Sequence, residues 1–324
     1  MLGSNSFAGA AFVARALADG FEVAGFNRSP EGSSTFLPYR SGTNAGRYTF
    51  HQADINHDLE LIGGVLEHFQ PQVVVDFAGQ GMVAESWSDP AQWYTTNIVA
   101  KVRLHERLRQ LDSVQRYIRI STPEVYGSHD TVLPETWQYN PSTPYAVSHA
   151  AIDMSLKAFH ERYGFPVVFT RFANFYGPGQ QLYRIVPRTI LCALSGRKLP
   201  LQGGGTSVRA FIYSTDVADG IMRAIERGTP GTVYHFSPTR FLTIREVVEV
   251  ICTRIGAAFE DLVEVVDDRP AKDQAYLMDS TRARQSLGWT DAVAFEDGVD
   301  ATIRWARDNF EQLRHLNWSY VHKP

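Results

Sequence analysis

Tyr117-Ile118-Arg119-Ile120-Ser121-Thr122-Pro123-Glu124-Val125-Tyr126-Gly127 is the stretch from which the fold follows. Its first four residues read as a buried strand, and a hydroxyl and a carboxylate come where that strand ends. Open α/β sheets bind their ligands at that edge. Further on, Tyr145-Ala146-Val147-Ser148-His149 opens a helix after Pro144. The four-residue spacing places Tyr145 and His149 on one helical face. Strand, polar turn and helix form one unit of a pattern that extends in both directions.

Upstream, Leu2-Gly3-Ser4-Asn5-Ser6-Phe7-Ala8-Gly9 reads as a phosphate-binding turn entering a helix from Phe7 to about Asp19. Only Met1 and Leu2 precede it. The first strand is therefore either very short or begins further upstream, and the second is expected, because a central strand this short would weaken the sheet. Strands are predicted at Phe21–Phe26, Tyr48–Ala53, Val73–Phe77, Gln115–Ser121 and Pro166–Arg171. Helices are predicted at Asp58–Phe69, Pro90–Leu111 and Tyr145–Tyr163, with loops over residues 31–47 and over Asn174–Gly179. Val73-Val74-Val75-Asp76-Phe77 is almost wholly apolar, as in a parallel strand covered on both faces. This alternation predicts an α/β fold, a Rossmann-type doubly wound parallel sheet over residues 1–177. From 178 to 324 short strands mix with helices. They predict a smaller mixed α/β lobe for substrate, with excursions back to the main sheet.

Composition narrows the function. The 324 residues are 44% hydrophobic and 20% charged, with a net charge of −4. Nothing here attracts nucleic acid or an anionic membrane. No apolar run reaches the roughly 18 residues that span a bilayer, and no signal peptide opens the chain, so the cytoplasm is the expected compartment. Cys192 and Cys252 sit alone in apolar helical patterns, which argues against a disulfide framework or a metal site. His57 near Asp54 and Asp58 reads as a solvated turn rather than a metal ligand.

Gly3-x-x-Ser6-x-x-Gly9 lets backbone N–H groups approach a pyrophosphate at a helix N-terminus. Ser6 replaces the middle glycine of the usual motif; it can donate to phosphate but crowds the backbone. The residue closing the second strand normally meets the adenosine ribose, an acid favouring NAD and a base NADP. Asn27-Arg28-Ser29 has no acid there, and Arg28 with Ser29 suits a 2′-phosphate. The lean is to NADP over NAD. Asp54-Ile55, ending the third strand, is placed to meet the adenine.

Together with Asn97, Arg171–Gly179, Arg209–Ala218 and Arg269-Pro270, these motifs make the chain resemble, over nearly its whole length, the extended short-chain dehydrogenases/reductases of the nucleotide-sugar class. The pattern is nearest to the sugar 4,6-dehydratases of GDP-mannose and dTDP-glucose type. The resemblance implies a bound NAD(P) touched by Gly3, Ser6, Phe7, Gly9, Asn27, Arg28, Ser29, Asp54, Ile55, Phe77, Ala78, Gly79, Asn97, Tyr145 and His149. It implies that Tyr145 takes the C4 hydroxyl proton as hydride leaves, that Thr122 hydrogen-bonds the same oxygen, and that Glu124 takes the C5 proton. Glu85, Ser86, Asn174, Arg209 and Arg269 would meet the nucleotide sugar. Pro123 stands where the dTDP-glucose type has an aspartic acid, but the GDP-mannose type does without that acid. The helices Pro90–Leu111 and Tyr145–Tyr163 resemble those that pair subunits in this family, which implies a homodimer.

His149 departs from the family, which has lysine there. A lysine holds the nicotinamide ribose and lowers the tyrosine pKa with a permanent charge; an imidazole with an unperturbed pKa of ~6.5 is largely neutral at pH 7. Three readings stand: His149 still donates to the ribose, another cation substitutes, or oxidation is lost and the protein only binds nucleotide sugar. If a charged His149 assists Tyr145, activity should fall as pH rises through the imidazole pKa. A C4 epimerase or 4-ketoreductase, which needs Tyr145 but not Glu124, is the alternative enzyme.

Overall fold

The main sheet is organised around Leu2, a single residue bridged in parallel to Phe26 on one side and to Asp76 on the other. A computed structural model describes residues 1–41, 46–267 and 275–323. Its strands are β1 (Val23–Asn27), β2 (Tyr48–Gln52), β3 (Val73–Asp76), β4 (Arg116–Ser121), β5 (Val167–Phe172), β6 (Asn174–Tyr176), β7 (Leu199–Gln202), β8 (Val208–Arg209), β9 (Phe211–Tyr213), β10 (Val233–Phe236), β11 (Leu242–Thr243) and β12 (Val263–Val266). Across the sheet the order is β2, β1, Leu2, β3, β4, β5, β10, every pair parallel. With Leu2 as the first strand, that is the Rossmann order, and the direction of winding reverses between Leu2 and β3. Below Leu2, an apolar cleft between β1 and β3 is lined by Phe12, Val23, Val74 and Ile225.

The principal helices are α1 (Phe7–Ala18), α2 (Leu59–Phe69), α3 (Pro90–Tyr94), α4 (Lys101–Leu108), α5 (Pro144–Tyr163), α6 (Ile185–Ser195), α7 (Ser214–Arg227) and α8 (Ile244–Ile255). Phe12, Val13 and Leu17 of α1 and Val217, Ile221 and Ala224 of α7 share one apolar layer with Ile118 and Val168. Ile62 and Leu66 of α2, Leu104 and Leu108 of α4 and Leu156 of α5 cover the other face, on Val74, Tyr117 and Phe169. Burial on both faces is why these strands are apolar runs rather than alternating ones.

Local sequence sets the helix that carries the site. Thr143 caps α5, its hydroxyl accepting from Ala146 N at 3.2 Å, and Pro144 takes the first-turn position where no N–H is needed. Gly164 ends it in the left-handed conformation, φ 68°.

Two expectations change. The helix predicted over Pro90–Leu111 is divided by a π-helical turn, Thr95–Ala100, between α3 and α4. Asn174–Tyr176, expected as loop, is β6, because Phe211–Tyr213 pairs with it in parallel. β8 pairs antiparallel with β11, and β7 in parallel with β12. A separate apolar cluster of Val186, Ile190, Val247, Ile251, Val299 and Ile303 fills this part of the chain. Among the described residues no helix is long and apolar enough to cross a membrane, no group of His, Cys, Asp or Glu could hold a metal, and Cys192 and Cys252 are buried and unbridged.

Candidate active site

The glycine turn lies at the switch in winding. Gly3 has φ 74°, and a Cβ there would come within 2.9 Å of the Phe77 carbonyl carbon. Its N–H and that of Ser4 donate to Phe26 O at 2.8 and 3.2 Å. A Cβ on Gly9 would overlap the Gly3 carbonyl oxygen. Ser6 caps α1, accepting from Gly9 N at 3.1 Å and donating to Gly3 O at 2.7 Å. This corrects one expectation: the Ser6 hydroxyl proton is engaged within the turn rather than held for a phosphate. The amides of Phe7 and Ala8 open α1, where first-turn N–H groups have no intrahelical acceptor. A backbone cradle stripped of Cβ atoms at a helix N-terminus fits the pyrophosphate of a nicotinamide dinucleotide.

The flanking residues reach this cradle in two ways. Phe77, Ala78 and Gly79 follow β3, and the Cβ missing from Gly79 would touch Asn97 Oδ1 at 2.8 Å. Asn97, turned inward by the π turn, accepts from Gln80 N at 2.8 Å and donates to Gln80 O and Ser148 Oγ, each at 3.0 Å. Its amide is occupied in holding the loop and α5 together, so it shapes the site through its neighbours. At the end of β1, Asn27 Nδ2 donates to Ser29 O at 3.2 Å. Asp54 Oδ1 accepts from Asn56 N at 2.8 Å and so builds its own turn, beside the buried Ile55.

A further segment arrives that the motifs in the sequence did not single out. Residues 317–323 run from the second half of the chain back over the sheet edge. His322 stacks on Trp93, ring centroids 5.2 Å apart, and Tyr320 packs against Tyr183. Lys323 O accepts from Arg28 Nη2 at 2.9 Å and from Gln80 Nε2 at 3.1 Å, while Lys323 Nζ donates to Ser29 Oγ at 3.3 Å. Arg28 follows β1 and Gln80 follows β3, so this segment bridges the two strands that flank Leu2 and the glycine turn.

Beyond β4 the reacting groups converge. Thr122 Oγ1 donates to Glu124 Oε2 at 2.8 Å, inside a 3-10 turn, Pro123–Tyr126, that Pro123 initiates. Tyr145 hydrogen-bonds Thr122. Burial pushes the Tyr145 phenol up, and so does the Glu124 charge; the Thr122 bond, Arg119 and Arg184 act the other way. His149 lies against it, ring centroids 4.5 Å apart. Burial holds His149 well below the usual imidazole range, with Arg119, Lys101 and Arg171 adding to the effect. The imidazole is therefore neutral at pH 7, as its residue type implied, and the conditional reading in which a charged His149 assists Tyr145 is not supported.

Under this surface lies a buried ionic layer. Arg119 Nε donates to Asp153 Oδ1 at 2.9 Å, and Arg171 Nη2 and Ser121 Oγ donate to Asp153 Oδ2 at 3.0 and 2.6 Å. Beside it Lys101 Nζ and Tyr117 OH both donate to Asp76 Oδ2 at 2.6 Å. Burial lowers the Lys101 pKa to about 8 even with Asp76 and Asp153 opposing it.

The residues expected to meet the sugar lie on separate loops. Ser86 is buried and donates to Val83 O at 2.6 Å, which makes it a brace of its own turn rather than a lining group. Glu85 Oε2 is buried with no hydrogen-bond partner, an acceptor in want of a donor. Asn174 starts β6, held through its N–H to Ala210 O at 3.0 Å, next to Arg209 in sequence. The Arg209 guanidinium lies over the Tyr276 ring at 4.5 Å. Arg269 lies outside the described residues. Arg184, which the sequence reading passed over, precedes α6 and its charge acts on Tyr145, favouring the phenolate; a cation after Gly177-Pro178-Gly179 was the available signal.

Residues 2–302 match the family described as GDP-mannose 4,6 dehydratase. The dTDP-glucose 4,6-dehydratase of Escherichia coli is 33% identical over 308 residues, which span 86% of this chain and 85% of that one. The structure of a dTDP-glucose 4,6-dehydratase from Streptomyces venezuelae, solved with NAD bound, is similar with a TM-score of 0.88 at 30% identity, covering 96% of this chain and 97% of its own. A UDP-glucose 4-epimerase from Thermotoga maritima has a TM-score of 0.86 at 26% identity, covering 95% and 98%. The match over most of the length, and a Rossmann-type sheet that brings Thr122, Glu124 and Tyr145 together, lead to one conclusion: the chain belongs to the GDP-mannose 4,6-dehydratase family of nucleotide-sugar short-chain dehydrogenases/reductases.

Proposed function

We propose that this protein is a nucleotide-sugar 4,6-dehydratase that retains NAD through the catalytic cycle and works in the cytoplasm, where both molecules are supplied. One observation carries the reaction: Glu124, hydrogen-bonded by Thr122 at 2.8 Å, stands beside Tyr145. An epimerase or ketoreductase has use for the tyrosine but none for that carboxylate. When bound, NAD would take hydride from C4 and return it to C6. Tyr145 receives the C4 hydroxyl proton, with the Thr122 hydroxyl orienting the same oxygen. Glu124 Oε then removes the C5 proton, made acidic by the new ketone, and passes it to the C6 hydroxyl, which leaves as water; as C6 takes the hydride back, C5 takes up a proton equivalent to the one that Tyr145 received. Pro123 has no proton to give, so the single carboxylate serves both steps.

NAD is preferred to NADP here. Arg28 and Ser29 favoured NADP from sequence, yet both make hydrogen bonds to Lys323, and the Streptomyces enzyme carries NAD. The dTDP-glucose of the Escherichia coli relative is the first substrate to test. A homodimer through α4 and α5 belongs to the same reading, supported by Val99 of the π turn that leads into α4 and by Val147 and Met154 of α5, which stay exposed. The test of the reaction is Glu124→Gln. It should oxidise the sugar and accumulate reduced nicotinamide while losing elimination by 10²-fold or more, on the order expected for a lost general base. Unchanged elimination in that variant would reject the role of Glu124.

A further inference from the structure

Lysine is absent from the position four residues after Tyr145, and the structure holds a fixed cation directly behind the residue that replaces it. Arg119 lies on β4, whose alternating side chains send Tyr117, Arg119 and Ser121 towards one helical layer. Every nitrogen of its guanidinium is committed: Nε to Asp153 Oδ1 at 2.9 Å, Nη1 to Ile120 O at 2.8 Å, and Nη2 to His149 Nδ1 at 3.0 Å. A guanidinium only donates. His149 Nδ1 must therefore accept, which leaves the imidazole proton on Nε2.

We propose that Arg119 is a positioning residue of the active site, locking His149 as the Nε2–H tautomer and supplying beside Tyr145 the permanent charge that lysine supplies in the wider family. This rests on the dehydratase reading for its catalytic meaning, but not for its geometry. His149 keeps one donor for a ribose hydroxyl and Arg119 keeps the charge, so two side chains divide what one lysine does. Arginine suits the task because it stays charged when buried, where Lys101 on the neighbouring helix does not hold its full affinity for a proton. The groups facing His149 are Arg119 from β4, Lys101 from α4, Arg171 from β5 and Tyr145 from α5, with Asp153 and Asp76 neutralising the cations. None adds a negative charge next to the ring, so it stays neutral. Among the groups that act on Tyr145, Arg119 favours the phenolate and Glu124 opposes it.

Two measurements test this. Nitrogen NMR of the His149 imidazole in the full chain should read as the single Nε2–H tautomer from about pH 6 to 9, and Arg119→Met should produce a tautomer mixture that titrates. An Nδ1–H tautomer in the unmodified protein, or no change in Arg119→Met, would overturn the proposal. Asp153 keeps Arg171 and Ser121 when Arg119 is lost, so no carboxylate is stranded. Should Arg119→Met still fail to fold, Arg119→Lys replaces it: it should keep the charge but lose the single tautomer, and a retained single tautomer would count against the lock.

The second measurement follows reduction of the bound nicotinamide on mixing with dTDP-glucose. Arg119→Met should slow that step on the order of 10²-fold and move the ascending limb of its pH profile to higher pH, because removing a cation raises the pKa of Tyr145, which must be deprotonated to act as base. Adding His149→Lys to Arg119→Met should recover the rate to within about tenfold. A merely structural Arg119 would leave the double variant as impaired as the single one, and that result would reject the proposal. If the unmodified protein oxidises no nucleotide hexose, the dehydratase reading fails instead, and the NMR result still decides the Arg119–His149 lock.

Discussion

At the scale of single residues, the site is a matter of where protons are held. Thr122 has a single proton, donated to Glu124 in this structure; donated to the Tyr145 oxygen in its place, it favours the phenolate. Thr122→Val should therefore lower kcat by roughly tenfold or more and shift the ascending limb of the pH–rate profile to higher pH. His149, neutral across the working range, should add no limb of its own near pH 6.5. Thr122, Glu124 and Tyr145 were legible as a set because short local motifs carry them. Arg119 was not. It sits in an apolar strand with nothing nearby to mark it, and its partners Asp153 and His149 are 34 and 30 residues away. Only the packing of α5 on the sheet joins them. Ser6 and Ser86 show the converse: their residue type pointed to ligands, while the turns around them use both hydroxyls internally.

Among the elements, the glycine turn is the least tolerant. Gly9→Ala would drive a methyl into the Gly3 carbonyl, and the backbone must shift to admit it. The expected cost is about 1–3 kcal/mol of stability, as for other overpacking, together with weaker dinucleotide binding, checked by denaturant unfolding and by cofactor titration. The segment 317–323 makes a second prediction. It spans Arg28 and Gln80 over the same turn, so a chain ending at Leu316 should release its dinucleotide several-fold faster than the full chain, measured by exchange against labelled NAD. Equal release rates would show that the segment does not cover the cofactor. Sequence periodicity located the strands and helices of the first half, since both faces of a parallel sheet demand apolar runs. It did not disclose β6, whose pairing with β9 spans a long sequence separation, or the π turn that aims Asn97. Nor did a polar tail announce that it would return to the cofactor edge.

Over the whole molecule, buried histidines link stability to pH. His105, His149 and His235 are all interior; burial lowers His105 to about 3 and holds the other two well below their usual range. Folded, they stay neutral, whereas the unfolded chain takes up protons below about pH 6.5. Their contribution is thus complete above that value and is lost as pH falls beneath it. Each buried histidine costs about 1.4 kcal/mol per pH unit, so the three should remove about 3–4 kcal/mol between pH 7 and 5.5 in urea unfolding. Sedimentation should find a dimer, and charged residues in place of Val147 and Met154 should yield monomers. The measurement that bears most directly on the function is mass spectrometry of dTDP-glucose after incubation with the full chain and NAD. The dehydratase reading predicts a product lighter by one water, with no net consumption of NAD. An isomer of unchanged mass, or recovered substrate alone across the thymidine, uridine and guanosine diphosphate hexoses, would contradict it.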